Sequence, residues 1–422
     1  MSQTVYLRPP ALLSRGTRPI PCLRVSSRPT GIHISSSSSP PFINEENHAP
    51  KYDPRKYYPA RIGETRNRRY RLLSKLGWGA NSTVWLAKDM SRWAWQSPRY
   101  VTLKITNCGQ YEQKSAEEEV EKSRYISRLQ AQSNHPGRAY IRLVRASFRI
   151  PGKRGEHLCL VFEPLREPLW LLGKHLGCNG LPPAVLKPFL RLVLQGLDFL
   201  HSEARVIHTY RSQADNLLVG FEDPDVLESY ARHQESNPAP FWDGDGGRPV
   251  YQSRPDFGHV RKGMGRVLIS DFSAAVFETV AEPHNHDIQP QPFCAPEVLL
   301  KATWTYSADI WNLGAMLWEL LADQVLFDGL DSESRTYSRA KHIAQMIRLL
   351  GPPPLQLLER AEQSIRSELF SSHGEFKFPG LIPSEEFNFA NLTPFLDGED
   401  KRLFLEFVGR MLRWEPGGAG DG

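Results

Sequence analysis

Cysteine is sparse. Cys22, Cys108, Cys159, Cys178 and Cys294 are scattered without a CxxC spacing. This argues against a disulfide framework or a zinc knuckle and fits a reducing compartment. Long apolar runs are also missing. The longest, Leu313 to Ala322, is interrupted by Glu319 and is too short to span a bilayer. No acidic residue precedes Glu45, although Arg8, Arg15, Arg18, Arg24 and Arg28 lie there beside the serine run Ser35 to Ser39. No serine, threonine or tyrosine occurs from Val280 to Cys294, so that stretch offers no acceptor for phosphorylation. The net charge of +5 is too small to argue for nucleic acid.

What is present is globular. Hydrophobic residues make 40% of the chain and charged residues 23%, which excludes a wholly disordered or collagen-like polymer. A length of 422 residues exceeds one ordinary core, so two lobes with tails are expected. Residues 1–57 read as a disordered Arg/Ser/Pro-rich arm. The same composition suits a mitochondrial transit peptide, and both readings stand. Strand-like alternation at 70–76, 82–87 and 100–105 gives an antiparallel meander. A helical stretch at 115–130 and strands at 141–148 and 157–162 follow. Beyond Pro183 the period changes: Leu190, Val193, Leu194, Leu197 and Leu200 mark a buried helix face. Further helices fall at 306–322 and 342–350. The plan is α+β, with a β-rich lobe at 58–165 and a larger helical lobe at 166–416. The second lobe carries a polar insertion at 220–264, and 417–422 is an unstructured end.

Gly77-Trp-Gly79-Ala-Asn-Ser82 joins two strands, with Val84 beyond it. Glycines let backbone amides close over a polyphosphate, and Val84 can cover a purine. Alone the motif is better read as an ordinary hairpin turn. Lys104 ends an apolar strand and can reach the phosphates; on its own it would be a surface lysine. Such a lysine needs a carboxylate to hold it. Among Glu117-Glu-Glu-Val-Glu121, Glu121 has apolar Tyr125 and Leu129 at i+4 and i+8, so it is chosen, with Glu119 second. The strand ending at Glu163-Pro-Leu165 leaves into a linker able to present backbone groups to an adenine edge.

Gly77-x-Gly79, Lys104, His208-Thr209…Asn216, Asp271-Phe-Ser273, Ala295-Pro-Glu297 and Asp309-Ile-Trp311 stand in the order of the eukaryotic protein-kinase signature. Over about residues 58 to 415 the chain resembles this superfamily. Leu76-Gly-Trp-Gly-Ala-Asn-Ser-Thr-Val-Trp85 and the His-Thr start of the catalytic loop are similar to the SR-protein kinases, of fungal type. The resemblance implies a bilobal protein-kinase fold, ATP with Mg²⁺, and phosphoryl transfer to serine or threonine in Arg/Ser-rich proteins. It implies a nucleotide site of Leu76, Gly77, Gly79, Ser82, Val84, Lys104, Glu163 and Leu165, and metal ligands Asn216 and Asp271. A literal Asp256-Phe-Gly258 competes for the metal role. It follows no strand, whereas Arg266-Val-Leu-Ile-Ser270 leads into Asp271, so the triplet is read as a turn. Asp243-Gly-Asp-Gly-Gly lacks the closing glutamate of a calcium loop, having Arg254 there, and is also read as a turn.

Two departures qualify the resemblance. Tyr210 stands where the family has its catalytic aspartate, with one residue too many before Asn216; Asp215 is expected to point elsewhere. The chain also stops at Gly422, short of helices that supply an arginine to Glu297 in the family. The first reading is therefore a serine/threonine kinase. The alternative is an ATP-binding pseudokinase, and a misplaced splice boundary at 210–212 and after 416 is a third. The family's acidic docking groove corresponds to Tyr337-Ser-Arg-Ala-Lys341, which is basic, with Asp328, Asp331 and Glu333 nearby. Protein substrates are expected as partners, with no direct nucleic-acid or membrane contact, and a monomer in cytoplasm and nucleus.

Overall fold

The computed structural model describes residues 45–48, 52–93, 95–209, 214–244, 247–260, 263, 265–278, 284–331 and 334–415. Tyr210, Glu333, the arm before Glu45 and the end after Glu415 lie outside the described residues. The first lobe is a six-stranded sheet of order β1-β2-β3-β4-β6-β5. Its strands are β1 (Thr65–Arg66), β2 (Tyr70–Gly79), β3 (Ser82–Asp89), β4 (Tyr100–Thr106), β5 (Ala146–Gly152) and β6 (Gly155–Phe162). Every neighbouring pair is antiparallel. Side chains alternate between faces along a strand. Trp85, Val101, Leu103 and Ile105 therefore share one buried cluster with Leu72 and Tyr251, which leaves Val84, Thr102 and Lys104 on the opposite face. Helix α1 (Gln110–Gln132) packs on β6 and β4.

The second lobe is built on α2 (Leu169–His175), α3 (Pro183–Ser202) and the apolar α6 (Ser307–Ala322), with α7 (Arg339–Leu350) and α10 (Gly398–Met411) outside them. Trp304, Trp311 and Trp318 are fully buried in its core. Two short ladders face the sheet lobe. β7 (Val206–Ile207) pairs with β12 (Val276–Phe277), and β8 (Leu217–Val219) pairs with β11 (Val267–Ile269). The second ladder, with Ile269 opposite Leu217, brings Asn216 just before β8 and Asp271 just after β11 to the same end.

The described residues of the insertion at 220–264 are structured. It contains α4 (Pro224–Ser236), capped by Asp223 on the Asp225 amide, and the hairpin β9 (Phe241–Gly244) with β10 (Arg248–Tyr251). Asp256 closes a turn on the Gly258 amide at 2.7 Å, as expected of a loop triplet. Phe257, however, is buried against Leu73, Leu76, Leu86 and Tyr230, so the insertion returns to the first lobe.

The reading of residues 1–57 as a disordered arm is corrected for its last part. Glu45–His48 forms a 3-10 turn, and Glu46 and Tyr57 are buried. The reason is a buried cation. Lys75 sits inside β2 and donates to Glu45 at 2.7 Å, to Glu46 at 2.6 Å and to the Tyr251 carbonyl at 3.1 Å. Arg248 of β10 adds bonds to Glu46 at 2.5 and 3.2 Å. A buried ammonium is costly unless paired, so the segment that supplies its carboxylates must pack. Glu45 and Glu46, which supply those carboxylates, are the first acidic residues of the chain. No helix among the described residues is long and apolar enough to cross a membrane. Cys108, Cys159, Cys178 and Cys294 are free thiols.

Burial alone would raise the Glu46 carboxyl, but Lys75 and Arg248 outweigh it and hold it down at about 2. A carboxyl depressed in the folded state adds stability above its unfolded value, and loses it as pH falls through the folded one. Glu46→Gln is therefore expected to cost about 3 kcal/mol or more at neutral pH, as expected for breaking a buried pair. The difference from wild type should shrink as pH falls from about 4.5 towards 2. Urea denaturation of both proteins at several pH values checks this.

Candidate nucleotide and catalytic site

The cleft between the lobes collects chemistry from both. Lys104 lies opposite Val84 on β3 and Leu160 on β6. Its Nζ donates to Glu119 Oε2 at 2.8 Å and to Asp271 Oδ1 at 3.1 Å. Burial would lower the lysine, but the charges of Asp271 and Glu119 outweigh it and raise it. Burial would likewise raise Asp271, and Lys104 with the Ser273 amide brings it below the usual carboxylate range. Lys104 is thus held as a cation and Asp271 as an anion throughout the neutral range.

The chosen partner Glu121 is corrected to Glu119. Glu121 is exposed, whereas Glu119 is 1% exposed. The buried face of α1 runs through Ala116, Glu119, Val120, Ser123 and Ile126. Its inward neighbour at i+4 is a serine, whose Oγ accepts from the Val144 amide at 3.3 Å. A requirement for apolar neighbours therefore selects the wrong glutamate.

Asp271 has a left-handed backbone, φ 66°, and its Oδ1 accepts from Lys104 at 3.1 Å and from the Ser273 amide at 3.3 Å. Behind it Phe272 is buried edge-on to His208 at 5.0 Å. Burial keeps His208 below its ordinary value, and its Nε2 donates to the Ser270 carbonyl at 3.0 Å. Asn216 is buried, and its carbonyl accepts from Ser270 at 2.9 Å. The loop entering this region hangs on Asp309, which is fully buried. Asp309 accepts from the His208 and Thr209 amides at 2.7 Å each and from His201 at 2.9 Å.

The cleft wall holds Leu76, Val84, Lys104, Leu165, Asn216 and Asp271 of the expected residues. Ser82 lines a small adjoining void with Lys104 and Glu119. Gly77 and Gly79 lie in β2 above the cleft and do not line it. Glu163 does not line it either: its side chain is exposed and paired with Arg145, and its carbonyl accepts from Arg142 at 2.7 Å. Asp215 accepts from the Trp170 indole at 2.7 Å and also lines the cleft, against the expectation that it turns away. Glu297 is not left bare, since Ser307 donates to it at 2.9 Å. Burial still pushes its carboxyl up. Sequence reasoning missed Thr102, Phe162, Glu167 and Phe257 on the wall. Thr102 shares the face of Lys104 by period two and was findable; Phe257 depends on how the insertion folds back.

A serine/threonine protein kinase of Aspergillus fumigatus is 36% identical over 375 residues, covering 88% of this chain and 86% of that protein. The chain belongs to the serine/threonine protein kinase family. A family model of the protein kinase domain matches residues 259–417 of this kinase. A Physarum polycephalum kinase named SRPK is 29% identical over 80% of the chain, and mouse SRSF protein kinase 3 is 33% identical over 50% of it and 35% of its own length. The kinase is thus similar to the SR-protein kinases. A solved kinase domain aligns with TM-score 0.60 at 21% identity, covering 86% of this chain and 95% of that one, which establishes the bilobal fold. These relatives favour the enzyme reading over the interaction-module alternative. A protein kinase domain uses ATP and a divalent metal.

The corrected pairing is testable. Glu119→Gln is expected to weaken ATP binding by about tenfold, the worth of a charge-assisted bond. Glu121→Gln is expected to leave it unchanged. Calorimetric titration of both variants separates the two glutamates; equal losses would contradict the assignment.

Proposed function

We propose that this kinase transfers the γ-phosphoryl group of Mg²⁺-bound ATP to serine or threonine hydroxyls in Arg/Ser-rich proteins. The observation that carries the reading is the Lys104 ammonium held between Glu119 and Asp271 at the base of a cleft also lined by Asn216. Lys104 is placed to receive α- and β-phosphate oxygens, with Glu119 fixing its direction. Asp271 and Asn216 present a carboxylate and an amide to one space, an oxygen donor set that suits Mg²⁺. The metal, when bound, neutralises charge between the phosphates. Leu76, Val84 and Leu165 are apolar walls for the base. The similarity to proteins named SRPK and SRSF protein kinase supports Arg/Ser-rich substrates. The basic stretch 337–341 is a departure there; Ser338 caps α7, accepting from the Lys341 amide at 3.4 Å.

Transfer also needs a group to orient the acceptor hydroxyl, and the position expected for it is Tyr210. Replacing Tyr210-Arg-Ser212 by Asp-Leu restores a carboxylate and the loop register. It is expected to raise the rate of phosphate transfer to an Arg/Ser peptide by roughly 10²-fold, the usual worth of a positioned base. A normal rate in the unmodified chain, with no gain on replacement, would overturn the assignment of that position.

A further inference from the structure

The hairpin read above as the phosphate cover is pinned from outside the cleft. The Tyr57 hydroxyl shares its one proton between the carbonyls of Gly79 and Ala80, both at 2.9 Å. Asn107 Nδ2 donates to the same Ala80 carbonyl at 2.9 Å, and the Asn107 amide to Asn81 O at 2.8 Å. Tyr57 is buried, and it is not among the residues lining the cleft. It approaches with the segment that precedes the sheet. Arg248 of the insertion lies over its ring at 4.9 Å, and Tyr52 packs beside it at 5.3 Å. Arg248 and Tyr52 are in turn fixed by Glu46. Burial pushes the Tyr57 phenol up to about 12, so it remains a donor at neutral pH.

In a trans peptide the C=O and the following N–H point in opposite directions. Carbonyls of Gly79 and Ala80 drawn outward therefore turn the amides of Ala80 and Asn81 the other way. We propose that Tyr57 is a positioning residue for ATP: its hydroxyl holds the Gly79 and Ala80 carbonyls outward and so presents the Ala80 and Asn81 amides to the polyphosphate. This rests on the reading of that hairpin as the phosphate cover. The phenol does not line the cleft. It acts through the orientation of two peptide planes, and it ties the phosphate cover to the 45–57 segment and the insertion.

Tyr57→Phe removes the hydroxyl and keeps the ring that Arg248 and Tyr52 pack on. In the full chain it is expected to weaken binding of a non-hydrolysable Mg·ATP analogue by about three- to tenfold, the worth of one hydrogen bond. Adenosine, which has no phosphates, should bind wild type and variant alike. A merely structural role would lower both ligands together. Equal affinity of the two proteins for the analogue, or a parallel loss for analogue and adenosine, overturns the proposal. Failure of folded wild type to bind the analogue overturns the nucleotide-site reading itself and this proposal with it.

Discussion

One buried ammonium sets the geometry of the whole cleft. Lys104 rises from the centre of the sheet and is held by a carboxylate from α1 and another from the second lobe. Removing an ion from water is expensive, and the cost is recovered only when its partners are close and well directed. The lysine thus fixes the sheet, the helix and the Asp271 segment at one mutual spacing. Everything proposed for phosphate and metal follows from that spacing. The second lobe meets it with its own buried ion: Asp309 gathers two backbone amides and His201, and so fixes the chain that leads through His208 and Thr209.

A third buried charge cluster lies behind the sheet. Lys75 and Arg248 share Glu46, and through them the segment before the sheet, strand β2 and the insertion are joined. β2 carries the glycine-containing hairpin, so elements remote in sequence meet on the strand proposed to cover the nucleotide. Arg254 of the insertion adds a backbone bond to the Lys75 carbonyl at 2.8 Å. Phe257 then closes the cleft wall against Leu76.

Much of this was legible from residue order. Strand alternation around Lys104 and the apolar run into Asp271 placed both groups correctly on local grounds, because period and burial agree there. Choosing between Glu119 and Glu121 failed because the inward face of α1 includes Ser123, a small polar residue satisfied by a neighbouring backbone amide. The packing of residues 45–48 and 52–57 was hidden because the stretch is short, polar and without apolar periodicity. Glu45, Glu46 and Asp53 signalled a change, but Lys75, the partner of the two glutamates, reads as an ordinary strand residue. Glu163 was misplaced for a similar reason: nothing local shows that Arg142 occupies its carbonyl. Contacts between segments far apart in sequence decide these cases.

The Lys104 cluster is proposed to build a metal-assisted ATP site. Calorimetric titration with ATP, with and without Mg²⁺, on wild type and on Lys104→Ala tests it most directly. Wild type is expected to bind saturably, more tightly with Mg²⁺, and Lys104→Ala to bind at least about tenfold more weakly, as for a lost charge-assisted contact. Undiminished affinity in Lys104→Ala, or no binding by folded wild type at millimolar ATP, would contradict it.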